Sequence, residues 1–81
     1  MHYQFKARLG TREVSILVSK DMSVAELLDA LTYTFMLPLN SQIVSFRDPN
    51  SGIIIPPSII CSEPEQIIKN EVYEVMIRQV S

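Results

Sequence analysis

The sequence predicts an α+β domain, a mixed sheet of four to five strands crossed by one helix. Three observations carry that expectation: residues 3–18 close into one registered hairpin, a capped amphipathic helix opens at Ser23, and the chain finishes on an alternating apolar strand. A helix packed on a single face of such a sheet belongs to the α+β class.

In the hairpin, Gly10-Thr11 forms a two-residue loop and the paired positions sum to 21. Ala7 then faces Val14, Phe5 faces Ile16 and Tyr3 faces Val18, so the apolar pairs share one side. The other side receives Arg8 with Glu13, Lys6 with Ser15 and Gln4 with Leu17. A slip of one residue would reverse every side chain, which makes this register strongly specified. Glycine at the first central position suits a type II′ turn, whose twist matches that of the strands it joins.

The second strand runs from about Arg12 to Ser19, and Ser23-Val24-Ala25-Glu26 then reads as a capping box. In such a box the serine and glutamate side chains each satisfy an orphan amide. Met22 and Leu27 are spaced for the accompanying hydrophobic staple. Val24, Leu27, Leu28, Leu31 and Phe35 form one buried stripe at helical spacing, leaving Asp29, Thr32 and Tyr33 outside. Pro38 disfavours helical backbone at Leu37, so the helix is expected to stop near Met36.

Ser41 to Arg47 reads as the third strand, with Val44 and Phe46 inward and Ile43, Ser45 and Arg47 outward. Asp48-Pro49-Asn50-Ser51-Gly52 is a turn, and Ile53 to Ile55 a short strand that Pro56-Pro57 ends. Ser58 to Asn70 reads as irregular or as containing a short helical turn started by Pro64, with Ile59, Ile60, Ile67 and Ile68 as anchors. In the last strand, from about Glu71 to Val80, Tyr73, Val75 and Ile77 point inward. Val72, Glu74, Met76 and Arg78 point outward. The first and last strands are expected to pair in parallel at the centre of the sheet.

Composition narrows the function classes. Residues 1–81 make a single domain, and a chain this short buries only about 60–65% of its unfolded surface. A hydrophobic content of 47% argues against disorder, and a net charge of −2 gives no overall attraction to nucleic acid. Cys61 is the single cysteine and cannot form an internal disulfide, which points to an intracellular, cytoplasmic setting. No apolar run approaches the ~20 residues that cross a bilayer, and the N-terminus lacks a signal-peptide pattern, so a soluble chain without membrane attachment is expected.

Catalysis has little to draw on. His2 is the only histidine and sits at the terminus, Cys61 has no indicated base, and Glu63 and Glu65 flank Pro64 as solvated acids. No ligand cluster for a metal and no phosphate loop is present in the pattern, so neither cofactor nor metal is expected.

The hairpin, the Ser23-Val24-Ala25-Glu26-Leu27-Leu28 stretch, the Leu37-Pro38 exit and the closing Ile68-Lys69-Asn70-Glu71-Val72-Tyr73-Glu74-Val75 together resemble the ubiquitin-like β-grasp superfamily. The resemblance spans nearly the whole chain as a pattern of residue types. A narrower likeness, to doublecortin-type domains, rests on Leu27-Leu28, Leu31-Thr32, Gly52 and Tyr73-Glu74-Val75. It departs at the first hairpin, where those domains carry a longer loop than Gly10-Thr11. The chain also ends Ile77-Arg78-Gln79-Val80-Ser81 without the Gly-Gly tail of ubiquitin and the sulfur carriers. Conjugation or sulfur transfer is therefore not expected unless the chain is cut from something longer.

The resemblance implies a non-catalytic protein-interaction module. Met1 is consistent with the N-terminal part of a larger scaffold or signalling protein, or with a small free-standing one. The rival readings are an accessory subunit of a multicomponent enzyme and a cytoskeletal, microtubule-attaching domain. On the open sheet face, Ile43 and Met76 are expected to form an apolar centre rimmed by Lys6, Arg8, Arg47 and Arg78, suited to an acidic protein surface. The edge strand Arg12 to Ser19 offers a second mode, pairing with a partner's sheet. Ubiquitin-like domains that bind small GTPases use that mode, and here Arg12 and Lys20 lie at the ends of the edge. Edge-to-edge self-association is a further option.

Overall fold

The computed structural model describes residues 2–67 and 72–80 and, within them, every side chain except that of Ile67. The expected anchors Ile67 and Ile68 and the expected first residue of the last strand, Glu71, therefore lie outside the described side chains. The elements in chain order are β1 (His2–Leu9), β2 (Arg12–Ser19), α1 (Val24–Phe35), β3 (Ser41–Arg47), β4 (Ile54–Ile55), α2 (Pro57–Ser62), α3 (Pro64–Ile67) and β5 (Val72–Gln79). They form an α+β fold with one mixed five-stranded sheet in the order β2-β1-β5-β3-β4.

The hairpin has the register its apolar alternation demands. Tyr3 pairs with Val18, Phe5 with Ile16 and Ala7 with Val14, and Leu9 pairs with Arg12 across the turn. Gly10 has φ 64°, whereas Thr11 keeps a negative φ, as a type II′ turn requires. β1 and β5 run parallel in the middle, Lys6 beside Val72 and Arg8 beside Glu74, and β3 and β5 run antiparallel.

α1 begins at the capping box. The Glu26 amide donates to Ser23 Oγ and the Ser23 amide to Glu26 Oε1, each at 3.1 Å. Leu27, Leu31 and Phe35 are fully buried from its inner stripe, while Val24 and Leu28 are half-buried against the same core. The helix ends one residue short of Met36, which takes the left-handed conformation at φ 54°, and the Met36 and Leu37 amides fold back onto the Thr32 and Tyr33 carbonyls. The helix thus stops near Met36 as expected, and Pro38, which cannot continue a helix, follows two residues beyond the left-handed cap.

Phe5 anchors the core. Its ring meets that of Phe46 edge-on at 5.1 Å and stacks on that of Tyr73 at 5.5 Å. Ala7, Val18, Ile60 and Val75 complete the packing. The 58–67 segment is more ordered than the composition suggested: Pro57 occupies the first turn of α2, and Pro64 opens α3. Proline tolerates helix N-termini because the amide it lacks has no intrahelical partner there.

The third strand departs from the expected alternation. Ile43 is buried and Val44 is 41% exposed, the reverse of the simple pattern. Ile43 pairs with Ile77 and Ser45 with Met76, so Val44 is an extra residue, a β-bulge. Two residues set against one shift the parity of everything on the N-terminal side of the bulge. Phe46 and Arg47, after it, keep their expected sides. Ile77 is 39% exposed although it shares the core side of the sheet, because β5 has by then run past the end of β1 at Leu9.

Candidate protein-binding surface

α1 covers one face of the sheet; the opposite face carries the side chains that sequence alternation assigned to binding. One row crosses all five strands: Glu13, Arg8, Glu74, Arg47 and Ile54 stand side by side through the successive pairings. Glu74 sits between two arginines. Arg47 Nη2 donates to its Oε1 at 2.6 Å, and Arg8 Nη2 lies 3.6 Å from Oε2. The Arg47 hydrogen bond is the chief reason that the Glu74 carboxyl is held below the usual carboxylate range, with the charges of Arg47 and Arg8 adding to it.

The expected basic rim is therefore engaged within the face. Arg8 and Arg47 share Glu74, and Arg78 Nη2 donates to Gln42 Oε1 at 3.1 Å. Lys6, exposed beside Val72, is the member of the set without a side-chain partner among the described residues. The expected apolar centre does not form: Ile43 lies in the core, turned there by the bulge, and is withdrawn from the surface. Met76 is half-buried, and its sulfur accepts a hydrogen bond from Ser45 Oγ at 3.3 Å.

The two edges of the sheet differ sharply. β4 is two residues long and runs into Pro56-Pro57, a combination that blunts pairing. β2 is eight residues long, with no proline, no bulge and no lysine within it. Because the turn-closing pair Leu9/Arg12 is hydrogen-bonded in a hairpin of this kind, so are Ala7/Val14, Phe5/Ile16 and Tyr3/Val18. The amides and carbonyls of Glu13, Ser15, Leu17 and Ser19 then point away from the sheet. Met22 takes the Ser19 carbonyl at 3.1 Å, and among the described residues Glu13, Ser15 and Leu17 are left as a free backbone ladder.

Both cations flanking this edge are engaged. Arg12 Nη1 donates to the Phe35 carbonyl at 2.7 Å and Nη2 to that of Thr34 at 3.3 Å, with the guanidinium 5.5 Å from the centre of the Phe35 ring. Arg12 thus closes the C-terminus of α1, where a cation is favoured. Lys20 lies 3.0 Å from Glu65 at the start of α3. Its hydrogen bond to Glu65 raises the Lys20 pKa; a hydrogen bond from its own backbone amide, then that from Lys20, lowers that of Glu65.

Sequence reasoning missed the capping role of Arg12 and the Glu74 clamp. Both join residues far apart in the chain, and only the summed registers of three strand pairs would have placed Glu74 between the arginines. It did not single out Met36 and Leu39, just past the end of α1, which are exposed by 82% or more, as is Tyr33, which the helical pattern had placed outside. Cys61 is buried in α2, and burial pushes its thiol pKa up, with Glu26 adding to the effect. Among the described residues no three His, Cys, Asp or Glu side chains come together as metal ligands would, and no helix is long and apolar enough to cross a membrane. No family model, curated protein or solved structure matches this chain.

Proposed function

We propose that this chain is a ubiquitin-like β-grasp domain acting as a non-catalytic protein-interaction module in the cytoplasm, and that it engages a partner through the β2 edge. The β-grasp assignment is supported by the strand order β2-β1-β5-β3-β4, the parallel β1/β5 pair at its centre and the helix that follows the hairpin. The cytoplasmic placement rests on a lone, buried cysteine.

The observation that carries the docking mode is the unprotected β2 ladder at Glu13, Ser15 and Leu17. Backbone groups at such an edge give affinity to any extended segment, and alternate side chains select it. The open face supports the reading less well, since most of its charges are satisfied internally. Arg12 and Lys20, at the two ends of this edge, are engaged within the chain, Arg12 by the last carbonyls of α1 and Lys20 by Glu65, and so are less available as direct contacts for a partner such as a small GTPase.

Affinity capture from cell lysate tests the reading with three baits: wild type, Ser15→Pro at the edge, and Lys6→Glu with Arg78→Glu on the face. Proline at Ser15 removes an amide that points to solvent, so the hairpin keeps its own ladder. Proteins held by the wild type and the face variant but lost with Ser15→Pro are the expected result. Retention that Ser15→Pro leaves untouched removes the edge from the argument, and the absence of any specific capture, a second copy of the chain included, removes the module.

A further inference from the structure

Resting on that reading, we infer that the partner of the β2 edge is a second copy of this chain, paired antiparallel about a two-fold axis at Ser15. A ladder of free amides and carbonyls at Glu13, Ser15 and Leu17 can bond only to a strand presenting the same spacing. An antiparallel copy does so whenever odd positions face odd positions, which leaves a small set of registers.

Side chains choose among them. Where paired positions sum to 30, Ser15 faces Ser15, Glu13 faces Leu17, and Val14 faces Ile16 on the core side of the sheet. Val14 and Ile16 are half-buried in the single chain, their outer halves left open by the missing neighbour. This register covers them with each other twice over and sets no like charges opposite. Shifting the sum to 28 sets Ile16 opposite Arg12 in place of an apolar residue, and shifting it to 32 or 34 sets Glu13 or Ser15 against Ser19, whose carbonyl Met22 already takes.

The edge also lacks the devices by which single-chain proteins prevent this event. Within Glu13–Ser19 there is no lysine, proline, bulge or inward charge. The arginine at its start is turned away to cap α1, and the lysine just beyond its end is drawn to Glu65. Neither stands over the ladder to repel a copy. The contact is isologous, so it closes as a dimer and does not propagate. One strand pair forms a small interface, and small interfaces are weak and transient. A dissociation constant of micromolar order or above is expected.

Sedimentation velocity over a concentration series tests this directly: the weight-average mass should rise from 9.2 kDa toward twice that value. Ser15→Lys places two lysines face to face at the axis, and Ser15→Pro removes its amide. Each should hold the chain monomeric while the amide spectrum elsewhere stays that of the wild type. Ser15→Cys supplies the register. Directly opposed residues in a hydrogen-bonded pair have Cα atoms about 5.5 Å apart, within disulfide reach. Mild oxidation should therefore join Ser15→Cys chains covalently and leave Glu13→Cys, which faces Leu17, as monomers; the native Cys61 is buried. A wild type monomeric at millimolar concentration, equal cross-linking at both positions, or a dimer that survives Ser15→Lys and Ser15→Pro alike would each overturn the proposal. If the wild type is monomeric yet still captures another protein in a Ser15→Pro-sensitive manner, self-pairing fails and edge docking stands.

Discussion

Arg12 joins the turn end of the hairpin to the C-terminus of α1, and its removal is the sharpest test of how the two halves of this fold are held. The side chain makes two hydrogen bonds to helix-end carbonyls, at 2.7 and 3.3 Å, and lies 5.5 Å from the centre of the Phe35 ring. A charged hydrogen bond is worth about 1.5–3 kcal/mol. The shorter, part-buried bond to Phe35 sits at the low end of that range, and the longer, exposed one adds little. Cation–π contact at an exposed site contributes about 0.5–1 kcal/mol, and a cation at a helix C-terminus about 0.3–1 kcal/mol. These effects share one geometry and do not add fully, so Arg12→Ala is expected to cost about 2 kcal/mol. Urea denaturation should show a lower midpoint at unchanged slope, because the surface exposed on unfolding is the same. In a thermal scan the midpoint should fall by about 8–16 °C for a domain of this size. Arg12→Lys keeps the charge but loses the fork and should recover less than half of the loss. A change in Arg12→Ala below about 0.5 kcal/mol, the range of ordinary surface substitutions, would refute the bridging role.

Leu31→Ala, at a fully buried site in α1, should cost about 2–5 kcal/mol by denaturant titration, whereas half-buried Leu28→Ala should cost visibly less. Met36→Gly should stabilise the domain by about 0.5–1 kcal/mol, since glycine relieves the left-handed backbone at φ 54° and the exposed methionine side chain loses no burial; a lower melting temperature would contradict this. The Glu74 carboxyl is depressed in the folded state by Arg47 and then Arg8, so its contribution is present above the ordinary value of 4.5 and is lost as pH falls through the lower folded value. Stability measured between neutral pH and pH 3 should accordingly fall less steeply in Glu74→Gln than in the wild type. Arg47→Glu should destabilise the chain more than Arg78→Glu, because it replaces the partner of Glu74 with a like charge.

Much of the architecture was legible in the residues. The hairpin register followed from alternation and Gly10, because a period of two with one apolar side admits no slip. The start of α1 followed from Ser23 and Glu26, whose reciprocal hydrogen bonds span three residues. The inner stripe of α1 and the inward side of β5 through Val75 were equally local, set by periodicity alone. What escaped was what depends on another part of the chain. Val44 bulges from β3 because Ile43 and Ser45 are matched to consecutive residues of β5, and that match has no signature within β3 itself. The bulge moved Ile43 from the expected surface into the core and removed the apolar centre of the candidate site.

The same division separates the candidate surfaces. Four exposed cations on one face can be read from alternation, but whether they are free depends on what stands beside them. Glu74 reaches Arg8 and Arg47 only because the parallel β1/β5 and antiparallel β3/β5 pairings align them in one row. Arg12 leaves the β2 edge only because α1 returns to the turn end of the hairpin and presents its last carbonyls there. By itself the sequence determined the elements whose causes lie within a few residues: turns, caps, stripes and strand faces. The tertiary structure decided which charges are partnered and which edge is open, since charge pairing and edge exposure depend on neighbours brought close by folding from distant parts of the chain.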